Sequence, residues 1–597
     1  MIERSADVLV IGAGGAGLRA ALAARERGAS VLLMCKGKLG KAGVTATACS
    51  DRMAFHATLP HTPPGGTDSW RHHAEDIYRL GGFVSDADLA EVLAKNAADA
   101  FDYLDSLGVP FAKDAQGRAS QFLTDGSRYP RACFTGPYTA NHIEEALVRR
   151  LRETDIALLE DMTAVDLILD DGRACGVLAI DPSGKPAVVG AGAVVLATGG
   201  AGEMYSVNVF PPGMTGDGYA MALRAGAELV NMEFIQIGLS SVKTKLACSG
   251  SMMRAIPRFV NEGGEEILPR YMPEATPDHL ADIVFRKGAS WPVSLEHDTH
   301  AVDVAVFKEE MIAGSRVFLD YSRNPSGLDP EKLGRDLMRR YAEIGAELMD
   351  EPGVTPLQRI LGINKQAVQW LKERGVDIPG GDAVEIAPAI QHFQGGIKIR
   401  QRADTVVEGL FAAGEAAGGQ HGANRPGGNA LLDSQVFGKI AGESAADAAA
   451  KAKVIVDSLA GEAEKSPSRR WSKGVAASSA RDTVRNLMSR YAGIVRTEDG
   501  LGKACARLDE LSERGIAVEG GALQEAAEAE NMLLVARSVI KGALLRNESR
   551  GPHLRFESED DGKPVPRQED KWSRYIAISS RGGDIVAETR EPIRPTW

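Results

Sequence analysis

The chain has 597 residues, too many for one hydrophobic core, so about two to four domains are expected. Hydrophobic residues make up 44% and charged residues 25%, an ordinary globular balance, and 69 basic against 81 acidic side chains leave a net charge of −12. That charge argues against a general affinity for nucleic acid or an anionic membrane. No stretch reaches the ~20 apolar residues of a membrane span, so the protein is expected in the cytoplasm, reaching a membrane only through a partner. The six cysteines (35, 49, 133, 175, 248 and 505) form no Cys-x-x-Cys pair. Their scatter speaks against an iron–sulfur cluster, structural zinc or a disulfide framework inside this chain, and no metal site is expected.

Residues 6–11 are a short apolar run with the pattern of a buried parallel strand. Gly12-Ala13-Gly14-Gly15-Ala16-Gly17 follows, then a helix-forming stretch from Leu18 to Arg27 and a second apolar run, Val31–Met34. Glycines there permit a tight turn and a close approach of backbone amides to a pyrophosphate at a helix N-terminus. The acidic residue that usually ends the second strand, for the ribose hydroxyls, is replaced by Cys35-Lys36. Two later runs, Val194–Gly200 and Glu408–Glu415, also end in glycine. Three such strands so far apart imply a ligand that spans a larger fold, as FAD does, with Glu415 beside the flavin end. Thr215-Gly216-Asp217-Gly218 has the look of a capped helix start near phosphate or flavin.

From about 243 to 360 the chain is richer in Met, Pro and charge, with no glycine-ended strand, which reads as an inserted domain. Helical spacing follows over Ala445–Leu459, Ser479–Tyr491 and Ala522–Leu545, and a polar tail begins near 556.

Taken in order, LATGGAG (196–202), TGDGYAMALRAGAEL (215–229), NMEFIQ (231–236), VFLDYS (317–322), GLFAAGEAAGGQHGANRPGGNALLDSQVFGK (409–439) and ESRGPHLR (548–555) resemble the flavoprotein subunits of the succinate dehydrogenase and fumarate reductase family. That family includes L-aspartate oxidase and adenylylsulfate reductase, and the resemblance covers nearly the whole chain. It implies an α/β fold: a Rossmann-like FAD-binding domain (1–242 and 361–445) interrupted by an α+β capping domain (243–360), then a helical domain (446–555) and a tail (556–597). It also implies hydride exchange between flavin N5 and a substrate carbon, with arginines gripping carboxylates and carrying a proton. Carried onto this sequence, the cofactor residues are Gly12, Gly14, Gly15, Ala16, Gly17, Cys35, Lys36, Ala42, Gly43, Val44, Thr45, Ala164, Ala197, Thr198, Gly199, Thr215, Asp217, Gly414, Glu415, Arg425, Gly428, Asn429, Ala430 and Leu431.

For the substrate, Arg425 matches the family arginine that grips a carboxylate, and His421 begins its motif. Arg254 stands where the family has its Arg-Gly-Glu-Gly-Gly segment, here Met253-Arg254-Ala255-Ile256-Pro257-Arg258, so Arg254 is a candidate proton carrier with Arg258 as runner-up. Arg286 matches a capping-domain arginine. Gly238 replaces one substrate-contacting histidine. In Pro388-Ala389-Ile390-Gln391-His392-Phe393-Gln394-Gly395-Gly396, Gln391 stands for a second histidine at equal spacing, whereas a one-residue slip would give the role to His392. The segment Lys41–Thr47 lacks the histidine of covalent flavin attachment, so the FAD is expected to be noncovalent.

These residues point to an FAD-dependent oxidoreductase acting on a carbon–carbon bond of a small organic acid other than plain succinate or fumarate. An iron–sulfur or ferredoxin-like partner would carry the electrons. The alternatives are amine oxidation as in L-aspartate oxidase, sulfur chemistry as in adenylylsulfate reductase, or a non-enzymatic electron-transfer role.

Overall fold

The computed structural model describes residues 3–48, 53–62, 66–124, 126–290, 292–329, 333, 336, 337, 339–341, 355–452 and 470–597. The strand Glu3–Ile11 lies between Val31–Met34 and Pro186–Leu196, parallel to both. Val8, Leu9 and Val10 are 0% exposed, because helices and further strands cover both faces of this sheet. Leu410–Ala412 pairs in parallel with the far end of Pro186–Leu196, beyond the stretch that pairs with Arg173–Ile180. The three glycine-ended strands therefore stand side by side, with Ile11 opposite Leu196 and Leu196 opposite Ala412. Their turns open at one carboxyl edge, where open α/β sheets bind ligands.

The helix Gly15–Glu26 packs on this sheet and against the helix Asn429–Ala449. Two glycines allow that contact: a Cβ at Gly438 would stand 2.7 Å from the Ala16 carbonyl oxygen, and one at Gly442 would stand 2.1 Å from that of Ala20. The residues after 445 thus complete a helix of the FAD-binding domain, while 453–459 of the expected helical run lie outside the described residues.

A second core surrounds an antiparallel sheet of Ile235–Ser241, Val384–Phe393, Val317–Asp320 and Arg258–Asn261. Its buried residues run from Leu239 to Ile386 and include Ile360, Val368 and Leu371 of the helix Pro356–Glu373. The expected boundary at 360 is corrected accordingly: the apolar face of that helix is buried in the capping core, and the chain returns to the FAD-binding domain only through Val384–Phe393.

Helices Ala477–Tyr491, Glu498–Arg514 and Leu523–Leu545 form the helical domain, and the middle one was not anticipated. Beyond it the expected tail is ordered. Tyr575–Arg581 and Asp584–Arg590 form a hairpin that pairs through Leu229–Val230 with the FAD-binding domain. Tyr575, Ile576, Ala577 and Ile578 are all buried at the start of the hairpin, and Ile585 on its second strand is 4% exposed. Two of the motifs interlock at this junction: Arg546, just before ESRGPHLR, donates to Glu233 of NMEFIQ at 2.8 Å and to Glu548 at 3.1 Å, all three buried. No described helix is long and apolar enough to cross a membrane.

Candidate active site

A cavity of about 1760 Å³ runs along the carboxyl edge of the main sheet, bounded by the FAD-binding, capping and helical domains. It is larger than the roughly 300–1,000 Å³ of an ordinary small-molecule site, with room for an extended cofactor and a second ligand.

Its floor is the sequence-predicted cofactor set. Gly12, Gly14, Gly15, Ala16, Cys35, Lys36, Ala42, Gly43, Val44, Thr45, Ala164, Ala197, Thr198, Gly199, Thr215, Asp217, Gly414, Glu415, Arg425, Gly428, Ala430 and Leu431 all line it. Gly12, at φ +107°, must be glycine, since a Cβ would stand 2.2 Å from the Ala197 carbonyl oxygen. Around Gly14 and Gly43 a Cβ would find no atom closer than 3.7 Å and 3.9 Å, so their backbones border open space that a pyrophosphate can approach. These features, together with the buried, orphaned hydroxyl of Thr198, fit an FAD.

Two expected cofactor residues stand elsewhere. Gly17 does not line the cavity; its Cβ would lie 1.8 Å from the Gly12 carbonyl oxygen, so it serves the packing of helix against turn. Asn429 is also behind the wall, fully buried, with its carboxamide oxygen hydrogen-bonded to His56 Nδ1 at 2.8 Å. Gly216, left-handed at φ +80°, precedes the helix Asp217–Arg224 without a side-chain cap. The Thr215 hydroxyl, expected as that cap, donates instead to Asp217 Oδ1 at 2.8 Å and accepts from Lys36 at 2.9 Å.

Glu415 sits in the cavity wall, accepting from the Phe393 amide at 2.9 Å, and burial raises its carboxyl to about 8. Arg425 follows in space. Burial lowers its guanidinium to about 10 against the pull of Glu415 and Asp433. Its one hydrogen bond to protein from the side chain is a long 3.4 Å contact with the Pro426 carbonyl, and its Nε is buried with no partner. A desolvated guanidinium so poorly satisfied is costly unless a ligand anion completes it.

Strands Ile235–Ser241 and Val384–Phe393 supply the groups facing it. Their register places Gln236 opposite His392 but Ile237 opposite Ile390, so Gln391 is the extra residue of a β-bulge. The bulge re-aims the chain, and both Gln391 and His392 line the cavity. Both candidates for the histidine role, Gln391 and His392, therefore stand at the cavity. Burial, then Arg425, push the His392 imidazole well below its usual range, and its Nδ1 has no partner. Gln236 donates to Asn424 Oδ1 at 2.7 Å, which leaves its own carbonyl oxygen orphaned. His421 stands behind, outside the lining, its ring edge-on to His392 at 6.1 Å between centroids and its Nε2 3.8 Å from Asp433.

Among the described residues, Arg254 is the one capping-domain arginine that reaches the cavity, at the end of the short helix Gly250–Arg254. Arg258 is buried against Asp320, with Nε at 3.1 Å, and Glu266 at 3.5 Å, and does not line the cavity. Arg286 is likewise absent from the lining, held by Asp282 at 2.7 Å and Asp298 at 2.9 Å. Both are engaged in ion pairs with carboxylates of their own domain. Gly238 bridges Pro292, and Val293 donates to the Ile237 carbonyl at 2.8 Å, so backbone runs beside Gly238.

Sequence reasoning missed Ser251, Ser290, His297 and Asn364, all in the lining. Asn364 sits at a break inside the helix Pro356–Glu373 (φ −154°, ψ 72°) and donates to the Ser251 hydroxyl at 3.2 Å. Gly362 two residues before it was the available signal.

The FAD binding domain family model matches residues 7–431, and the fumarate reductase flavoprotein C-terminal model matches residues 481–595. A subunit of the fumarate reductase (CoM/CoB) of Methanothermobacter marburgensis is 31% identical over 592 residues, covering 96% of this chain and 97% of that protein. The L-aspartate oxidase of Streptomyces coelicolor is 29% identical, covering 96% and 91%. Among solved structures, Mycobacterium smegmatis Sdh1 in complex with UQ1 superimposes with a TM-score of 0.77 at 30% identity, covering 99% of this chain and 95% of that one. The chain belongs to the fumarate reductase/succinate dehydrogenase flavoprotein family and is an FAD-dependent oxidoreductase.

Proposed function

We propose that the protein holds FAD without a covalent bond and exchanges hydride with a carbon of a small organic acid docked on Arg425. The observation that carries this reading is Arg425 itself, a desolvated cation with an orphaned Nε, flanked in the wall by the uncharged Gln236, Gln391 and Asn424. Bound FAD supplies the hydride acceptor or donor. Arg425 fixes one carboxylate by paired hydrogen bonds and so orients the acid. Gln236, Gln391, Asn424 and neutral His392 offer hydrogen bonds, not charge, to the rest of the molecule. Arg254 approaches from the capping domain and is the proton carrier at the neighbouring atom. The capping sheet forms the wall opposite the cofactor floor. A partner subunit with iron–sulfur or ferredoxin-like centres takes or gives the electrons, as suits a relative that is itself one subunit of a larger enzyme.

Noncovalent attachment is supported by the histidine nearest to the expected linkage segment. His56 is fully buried behind Gly428, with both ring nitrogens engaged by Asn429 and Thr124 at 2.8 Å. Acid precipitation should leave all flavin in the supernatant, and colour retained in the washed pellet would refute this.

Substrate choice is tested by anaerobic bleaching and reoxidation of the flavin with a panel of acids. His392 retains one of the two histidine functions of dicarboxylate-binding relatives, and Gly238 lacks the other. One lost charge-assisted hydrogen bond costs about 1.5–3 kcal/mol. Fumarate and succinate should thus run roughly 10–10²-fold below the best acid in kcat/KM. If either is the best substrate of the panel, the neutral-wall reading fails.

A further inference from the structure

The end of the cavity farthest along the sequence motifs from Arg425 is walled by a different domain. Lys36, standing where the second strand would present an acid, is bonded to Asp217 at 2.7 Å and Glu528 at 3.0 Å. Burial draws the Lys36 ammonium down, but Asp217 and Glu528 outweigh it and hold it above its ordinary value. Glu528 belongs to the helix Leu523–Leu545 of the helical domain and is 5% exposed. It also accepts from Arg481 at 2.9 Å, from the helix Ala477–Tyr491, and from Gln524 at 3.1 Å. Arg481 and Arg485 both reach Glu203 of the FAD-binding domain, whose other oxygen accepts from the Gly213 amide at 2.8 Å. Lys36, Asp217, Glu528, Arg481, Gln524 and Glu203 all line the cavity.

We infer that the helical domain is the adenosine-side wall of the FAD site, and that Glu528 supplies the carboxylate missing from the end of the second strand. Lys36 occupies the usual place of that acid and pins two acids from elsewhere, Asp217 and Glu528, at the cavity. A carboxylate has about four acceptor positions. Glu528 uses three on Lys36, Gln524 and Arg481, which leaves one for a ribose hydroxyl. Because this acid arrives on another domain, cofactor binding and docking of that domain reinforce each other: FAD binds the docked arrangement better, and by linkage it holds the helices in place.

The test compares FAD, ADP and FMN binding to flavin-free protein by fluorescence and calorimetric titration. ADP carries the adenosine half of FAD and FMN the flavin half. Glu528→Gln should weaken FAD and ADP to the same extent, roughly 10–10²-fold, and leave FMN unchanged. Wild-type affinity for ADP in the variant overturns the inference, as does an equal loss for FMN, which would mark a general collapse. A second measurement needs no variant. Hydrogen exchange of the wild-type amides in 477–491 and 523–545 should slow on adding ADP and not FMN. Exchange indifferent to ADP contradicts the coupling. None of these outcomes depends on which acid is the substrate.

Discussion

At the Lys36 end of the cavity the charges that line the wall face protein charges of opposite sign, in a chain from Lys36 through Glu528 and Arg481 to Glu203. At the Arg425 end the guanidinium meets one carbonyl at 3.4 Å, and its Nε, the His392 Nδ1 and the Gln236 carbonyl oxygen are buried without partners. The same contrast separates Arg425 from the buried Arg546, which is held by Glu233 and Glu548. A charge compensated within the fold builds architecture. One left wanting is poised for a ligand, because removing an ion from water is repaid only when a counter-ion arrives with good geometry.

The largest effect should come from breaking the uncompensated end. Arg425→Ala leaves the substrate carboxylate unpaired in a desolvated site, a loss of about 3–5 kcal/mol. Turnover of the best acid should fall roughly 10²–10⁴-fold in kcat/KM. Flavin content should remain stoichiometric, since most of the cofactor floor comes from other elements: the turn at Gly12–Ala16, Lys36, Ala42–Thr45 and Ala197–Gly199. Loss of flavin together with activity would mean that Arg425 supports the cofactor rather than the acid.

A smaller effect sharpens the comparison through Glu415, whose carboxyl is raised by burial from 4.5 to about 8. A carboxyl that holds its proton more tightly when folded stabilises the fold at low pH. That contribution drains away as pH rises from about 4.5 toward about 8. In flavin-free protein, denaturant titrations of Glu415→Gln should show a shallower fall in unfolding free energy across that window than wild type. Parallel pH profiles would place the titration on another group.

Much of this site was legible in the sequence because it rests on backbone conformation. Gly12 and the turns after Leu196 and Ala412 need glycine or small residues at fixed places, and those positions announce themselves without knowledge of the fold. What the sequence concealed depends on register and on partners far along the chain. The bulge at Gln391 cannot be told from a substitution by counting residues, since only pairing with Ile235–Ser241 reveals the extra residue. The carboxylate partners of Arg258 and Arg286, Asp320, Asp282 and Asp298, are brought to them only by the capping fold. The tail beyond 556 looked polar because its buried run, Tyr575 to Ile578, is short and set among charged residues.

The account's central claim is that Arg425 grips the acid while the hold on the cofactor rests mainly on the glycine turns and Lys36, and equilibrium binding tests it without turnover. Wild-type and Arg425→Ala proteins, both loaded with FAD, are titrated with the best acid of the panel under conditions in which no net reduction occurs. The shift of the flavin absorbance bands reports occupancy. The account predicts a saturable shift in wild type and a dissociation constant raised by at least roughly 10²-fold in the variant, with flavin retained. An unchanged dissociation constant in Arg425→Ala would contradict it.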